Sequence, residues 1–120
     1  MTDKRRFSRV EFDADATLYL DGKSIDAHIV DLSIHGAKIN LIEHTMMLGV
    51  KQCDLEIMLG SGVTSINLVC RPVYQKDLTI GLEVVEMDID SATHLRRLLE
   101  VNLGDPKLIE RDLTALLKMA

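Results

Sequence analysis

The sequence predicts a mainly β fold: a small six-stranded antiparallel barrel followed by C-terminal α-helices. Three observations carry that expectation. Short stretches between Val10 and Val84 alternate apolar with polar residues and are separated by turn-type residues. The period then changes from two to helical spacing at Asp90-Ser91. And 120 residues suit one domain with a core of its own.

The first strand runs from Val10 to Leu20, with Val10, Phe12, Ala14, Ala16, Leu18 and Leu20 apolar and Glu11, Asp13, Asp15, Thr17 and Tyr19 between them. Asp21-Gly22 reads as a tight hairpin turn, and Ser24–Asp31 is the return strand, its alternation blurred by Asp26 and His28 among Ile25, Ala27, Ile29 and Val30. After a turn at Gly36 comes a third strand, Ala37–Leu41. Glu43–Val50 holds Met46, Met47 and Leu48 without a clear period, and reads as a loop packed partly inward. Leu55, Ile57 and Leu59 mark a fourth strand closed by Gly60-Ser61-Gly62. Ile66, Leu68 and Cys70 mark a fifth, which Pro72 is expected to end or to place at an edge. Leu78, Ile80, Leu82 and Val84 mark a sixth, reached through Gln75-Lys76-Asp77.

The helical region begins with Asp90 or Ser91 as the expected cap. Leu95, Leu98, Leu99, Asn102 and Leu103 form its stripe, and Gly104 is its stop. A second helix restarts at Asp105-Pro106, with Ile109, Leu113, Leu116 and Leu117 on one face. The domain reading is a basic arm over residues 1–9 and a single barrel domain over 10–120, its helices at about 90–118.

An apolar share of 47% and a charged share of 28% fit an ordinary water-soluble domain, and no apolar run approaches a membrane span. No apolar segment follows the basic start, so a secretory signal is not expected. Cys53 and Cys70 lack C-x-x-C spacing, which points away from zinc or a disulfide framework and toward a reducing, cytoplasmic setting. The net charge of −5 is uneven: residues 1–9 carry Lys4, Arg5, Arg6 and Arg9 against Asp3, +3 in all, leaving −8 for the rest. A basic arm on an acidic body suits a local anion and argues against a broad nucleic-acid surface, so neither DNA nor RNA is an expected partner.

Two short segments carry the chemistry. Arg5-Arg6-Phe7-Ser8-Arg9 is a cluster of planar cationic forks. Asp31-Leu32-Ser33-Ile34-His35-Gly36 sets a carboxylate and a hydroxyl two residues apart, which on a strand would point the same way. Gly36 follows where the chain turns, and glycine tolerates the positive φ that such a turn often needs. Each segment alone has a plain reading, a solvated tail for the first and a side-chain-stabilised turn for the second. Together, as R-x-x-x-R and D-x-S-x-x-G in that order, they resemble the signature of the PilZ domain, the bacterial receptor module for cyclic di-GMP. The stretch from Asp90 through Arg96-Arg97 to Gly104-Asp105 resembles the tail of stand-alone PilZ proteins, so the resemblance covers nearly the whole chain.

The resemblance implies a PilZ-type barrel in which Arg5, Arg9, Asp31, Ser33 and Gly36 bind cyclic di-GMP, with Arg6 as an additional fork. An arginine fork suits guanine O6 and N7 or a phosphate, and a carboxylate such as Asp31 can accept from the guanine N1–H and exocyclic amine. Lys4 stands where the family discriminates between one ligand and a stacked pair, and a cation there favours the pair. Tyr74 can supply a stacking ring and Lys76 a phosphate contact, although an ordinary strand tyrosine explains Tyr74 equally well. His35 stands at a variable motif position. His28, His44 and His94 lack metal spacing, and no cofactor is expected beyond the nucleotide ligand.

The function so implied is a cyclic di-GMP receptor and adaptor, not an enzyme. Binding would order the N-terminal arm and change the surface shown to an unidentified effector protein. The main alternative is a PilZ-like interaction domain that binds no nucleotide. A small barrel for single-stranded nucleic acid is disfavoured by so few aromatic platforms, Phe7, Phe12, Tyr19 and Tyr74, in an acidic body. A hydrolase has no G-x-S-x-G elbow, H-x-x-x-H pair or glycine-rich phosphate loop to work with.

Overall fold

A computed structural model describes the chain over residues 10–59 and 64–103. It contains β1 (Val10–Leu20), β2 (Lys23–Leu32), β3 (Gly36–Leu41), β4 (Cys53–Leu59), β5 (Thr64–Lys76), β6 (Thr79–Met87) and α1 (Ile89–Leu103). The six strands close into an antiparallel barrel in the order β1-β2-β3-β6-β5-β4. That order is not up-and-down: β3 pairs with β6, and residues 42–52 cross the end of the barrel to reach β4.

The β1–β2 turn forms as expected. Asp21 and Gly22 both take positive φ, 51° and 78°, the backbone that lets a two-residue turn follow the twist of its strands. The inward positions then register across the barrel: Leu18 opposite Ile25 and Leu55, and Ile39 opposite Ile29 and Ile80. Leu18, Ile29, Ile39, Leu55, Ile57, Ile66, Leu68 and Ile80 are almost fully buried in one cluster. The crossing loop adds Met47, buried completely, because Gln75 clasps that loop from β5. The Gln75 amide donates to the Thr45 carbonyl at 2.8 Å, and its oxygen accepts from the Met47 N–H at 2.8 Å.

Several sequence expectations are corrected. Of the two expectations for Pro72, the strand end does not hold, since β5 continues to Lys76, and the edge position does. Pairing of β4 with β5 starts only at Cys53↔Cys70, so from Arg71 onward β5 has no β4 partner to be deprived of a proline N–H. A register shift between Pro72 and Tyr74 absorbs the local distortion on the β6 side. Leu78 lies in the β5–β6 turn, 40% exposed, and Asp77 takes the positive φ there; β6 begins at Thr79, and Gln75-Lys76 belong to β5.

The cap of α1 is Asp88, neither Asp90 nor Ser91. Its carboxylate accepts from the Ser91 N–H at 2.6 Å. Ser91 is instead buried, its hydroxyl accepting from the backbone N–H of Asn67 at 2.8 Å and so tying the helix to β5. Leu95 and Leu99 join the barrel cluster, and α1 packs against β5 and β1. The expected glycine turn at 60–62, the stop at Gly104 and the second helix lie outside the described residues.

Candidate functional site

The D-x-S-x-x-G segment joins β2 to β3, and its geometry follows from a bulge the sequence did not announce. Ile29 pairs with Ile39, but the next pair is Asp31 with Lys38, so Val30 is an extra residue on β2. The bulge inverts the alternation. Ala27 and Ile29 face the core, and so does Leu32, while Asp31 turns to the outer face and is half-buried.

Beyond Leu32 the strand is over, and Asp31 and Ser33 do not form a matched outward pair. Ser33 is only 3% exposed, and its hydroxyl is spent on the turn. It accepts from the N–H of His35 at 3.2 Å and of Gly36 at 3.1 Å, and donates to the Gly36 carbonyl at 3.3 Å. The Ser33 N–H donates to the same carbonyl at 2.9 Å. Ile34 is buried beneath, and His35, half-buried, accepts from the Val84 N–H at 2.7 Å through its backbone carbonyl.

Gly36 is required here, but not for a positive φ, which among the described glycines belongs to Gly22 and Gly49. A Cβ on Gly36 would stand 2.4 Å from the carbonyl oxygen of Leu82, so the close approach of β6 demands the missing side chain.

The start of β1 is brought to this turn. Val10 pairs with Leu32 and Glu11 with Asp31, which seats the point where residue 9 joins the barrel against the motif. Lys4, Arg5, Arg6 and Arg9 themselves lie outside the described residues.

Register extends the site sideways. Asp31 stands opposite Lys38 on β3, Lys38 opposite Gly81 on β6, and Gly81 opposite Tyr74 on β5. Directly opposed residues of an antiparallel sheet share a face, so these form one row across the outside of the barrel. The Tyr74 ring covers Gly81, where a Cβ would meet its Cε1 at 2.0 Å, and Tyr74 remains 42% exposed. Lys76 is exposed two positions further along β5, opposite Thr79. The structure thus brings Asp31, His35, Gly36 and Tyr74 to one side of the barrel and leaves Ser33 as the internal brace of the turn. Lys38 is the member of the row that sequence reasoning missed, since it read there as the polar half of an ordinary strand alternation.

Glu83 on β6, opposite Gly36, is bound to Arg71 of β5 at 2.7 Å. Elsewhere the titration shifts are remote from the row. Tyr19 is raised by donating its hydroxyl to Glu56 at 3.0 Å. Burial pushes the Cys53 thiol up to about 11 and that of Cys70 to about 12. Among the described residues no group of three or more His, Cys, Asp or Glu could hold a metal ion, and no helix is long and apolar enough to cross a membrane.

The model of the PilZ domain matches residues 3–101. The chain belongs to the PilZ domain family. PilZ domains are binding and adaptor modules, and the match takes in both motif segments. Solved structures share the fold. MotI/DgrA of Bacillus subtilis, an inhibitor of motility, matches with a TM-score of 0.68 and 15% identity over 87% of this chain. This chain spans 53% of that one, about half its length. The PilZ domain of Escherichia coli YcgR, solved with c-di-GMP, matches with a TM-score of 0.56 and 17% identity over 85% of this chain and 93% of that one. An uncharacterised Legionella protein matches with a TM-score of 0.53 and 18% identity over 79% and 94%.

Proposed function

We propose that this PilZ chain is a cyclic di-GMP receptor that acts as an adaptor. The observation that carries the reading is the pairing of Glu11 with Asp31 and Val10 with Leu32, which roots the R-x-x-x-R arm beside the D-x-S-x-x-G turn in a chain of this family. The YcgR domain, a fold relative solved with the same nucleotide, supports the choice of ligand.

In this reading Arg5 and Arg9, helped by Arg6, clamp phosphate and the O6/N7 edge of guanine through charge-assisted bonds. Asp31 accepts from the guanine N1–H and amine. Ser33 acts through the turn it braces, and Gly36 by letting the turn lie close on β6. His35 borders the ligand, the Tyr74 ring stacks on a base, and Lys76 reaches a phosphate. Lys4 favours a stacked pair of ligands. Ordering of residues 4–9 over the barrel rim costs chain entropy that the charged contacts offset, and the new position of the arm alters the surface shown to an effector protein. The setting is a bacterial cytoplasm, where the second messenger is made and read.

Calorimetric titration with cyclic di-GMP tests this on the wild type and on Arg5→Ala, Arg9→Ala and Asp31→Ala. The expected result is a micromolar or tighter wild-type isotherm, lost or strongly weakened in each variant. A flat wild-type trace on folded protein refutes the receptor reading and favours a domain that docks protein alone. That second reading draws on exposed Ile42, Met46 and Leu48 of the crossing loop.

A further inference from the structure

We infer that Lys38 is a ligand-contacting residue of this chain, giving a phosphate oxygen of the bound nucleotide a cationic contact between Asp31 and the Tyr74 ring. The inference rests on the receptor reading above and goes beyond the two motifs.

Four observations lead to it. Lys38 stands directly across from Asp31 on one side and from Gly81 on the other, so it lies at the middle of the outer row. With strands about 4.8 Å apart, its backbone is one strand from the carboxylate and two from the tyrosine. Gly81 contributes no side chain between them, and the Tyr74 ring leans back over Gly81 toward β3. The surface there is therefore a shelf, bounded by a carboxylate and an aromatic face, with the lysine rising from its floor.

Two polar neighbours of the shelf are committed to adjacent strands, while Lys76 stands two positions beyond Tyr74. Glu83 is bound to Arg71 at 2.7 Å, and the Asn40 amide, next outward on β3, accepts from the Thr79 hydroxyl at 2.8 Å. Lys38 is half-buried, yet among the described residues its ammonium makes no hydrogen bond or ion pair. A lysine ammonium that no described residue engages is free to take an anion laid across this row. A dinucleotide whose guanine edge engages Asp31 and whose second base lies on Tyr74 carries its phosphates between those points, over Lys38.

The rival explanation is structural: Lys38 and Asp31 are opposite charges facing each other across two strands, which favours the sheet with or without a ligand. Titration with cyclic di-GMP at low and at high salt separates the two, using wild type, Lys38→Met, Lys38→Gln and Lys38→Arg. Lys38→Met and Lys38→Gln should bind about five- to tenfold more weakly at low salt, as expected for one charge-assisted contact on a partly exposed surface. Their affinity should also depend less steeply on salt, by about one charge, while Lys38→Arg keeps most of the affinity. Melting temperatures report any structural role independently. Wild-type affinity and an unchanged salt slope in Lys38→Met and Lys38→Gln would overturn the inference and leave the receptor reading intact, as would weaker binding with no change of slope. Absence of binding by the wild type removes the receptor reading and this inference with it.

Discussion

Replacing Gly36 by alanine tests the central geometric claim about the motif turn, that its glycine exists for space and not for backbone conformation. The added Cβ would stand 2.4 Å from the Leu82 carbonyl oxygen. Real Cβ contacts essentially never fall below about 3.0 Å and are ordinary from about 3.4 Å, so β3 and β6 must part by at least about 0.6 Å, and by about 1 Å to relax fully, at a directly paired position, Gly36↔Glu83. The obstacle is backbone, so no side chain can swing aside. Overpacking of this kind costs about 1–3 kcal/mol, and straining the adjacent Val84 N–H to His35 carbonyl bond adds about 1 kcal/mol. The lower entropy of unfolded alanine returns about 0.4–1 kcal/mol. The net loss is about 1–3.6 kcal/mol, which a urea titration followed by circular dichroism resolves. Gly22 provides the contrast: it has a positive φ of 78° and nothing within 4 Å of a Cβ. Asparagine, which tolerates that backbone, should therefore cost under about 0.5 kcal/mol at Gly22, yet be as damaging as alanine at Gly36. A Gly36→Ala protein as stable as wild type would refute the account of the turn.

Three further outcomes follow from the same structure. Gly81→Ala collides with a movable ring and not with backbone, so it should displace Tyr74 and cost less in a Tyr74→Ala background; a double-mutant cycle with zero coupling would contradict the ring's placement. Asp88→Ala removes the cap that the Ser91 N–H uses and should destabilise the chain by about 1 kcal/mol, whereas Asp90→Ala should cost markedly less, as read by urea unfolding. Burial holds both thiols neutral, Cys53 up to about 11 and Cys70 up to about 12 against an ordinary 9.0. The unfolded chain therefore loses those protons first. Stability should be indifferent to the thiols below about pH 9 and should fall as pH rises from there toward 11–12, a decline blunted in Cys70→Val.

Most of the barrel was legible locally. The alternation from Val10 to Leu20 and the Asp21-Gly22 turn are properties of adjacent residues; the structure forms a strand over Val10–Leu20, with Ala16 and Leu18 buried, and the turn after it. What escaped depends on partners far away in the chain. Ile29-Val30-Asp31-Leu32 looks like blurred alternation until β3 supplies the register that makes Val30 a bulge and turns Asp31 outward. Pro72 reads equally as a strand end or an edge residue until the short reach of β4 decides for the edge, where its missing N–H is not needed. Asp88, Asp90 and Ser91 are all acceptable caps by composition, and only the burial of Ser91 under Asn67 separates them. In the site, the motif residues were readable because their types are unusual together. The Asp31–Lys38–Gly81–Tyr74 row was not, since its members come from four strands and meet only through pairing.

Closure of the sheet also limits how this chain can be recognised. An open sheet offers its outermost strand as a template, and partners can add a strand of their own with little regard to side chains. Here β1 joins β4 through Ala16↔Ile57 to Tyr19↔Asp54, so among the described residues the open ladder is confined to strand ends that overhang their neighbours, such as β5 from Arg71 onward. Over the closed part of the barrel a protein that reads this domain reads side chains and loops, whose identities can drift while the ladder beneath them stays the same. A scaffold of this kind can change allegiance by surface substitution alone, without reopening the question of how it folds.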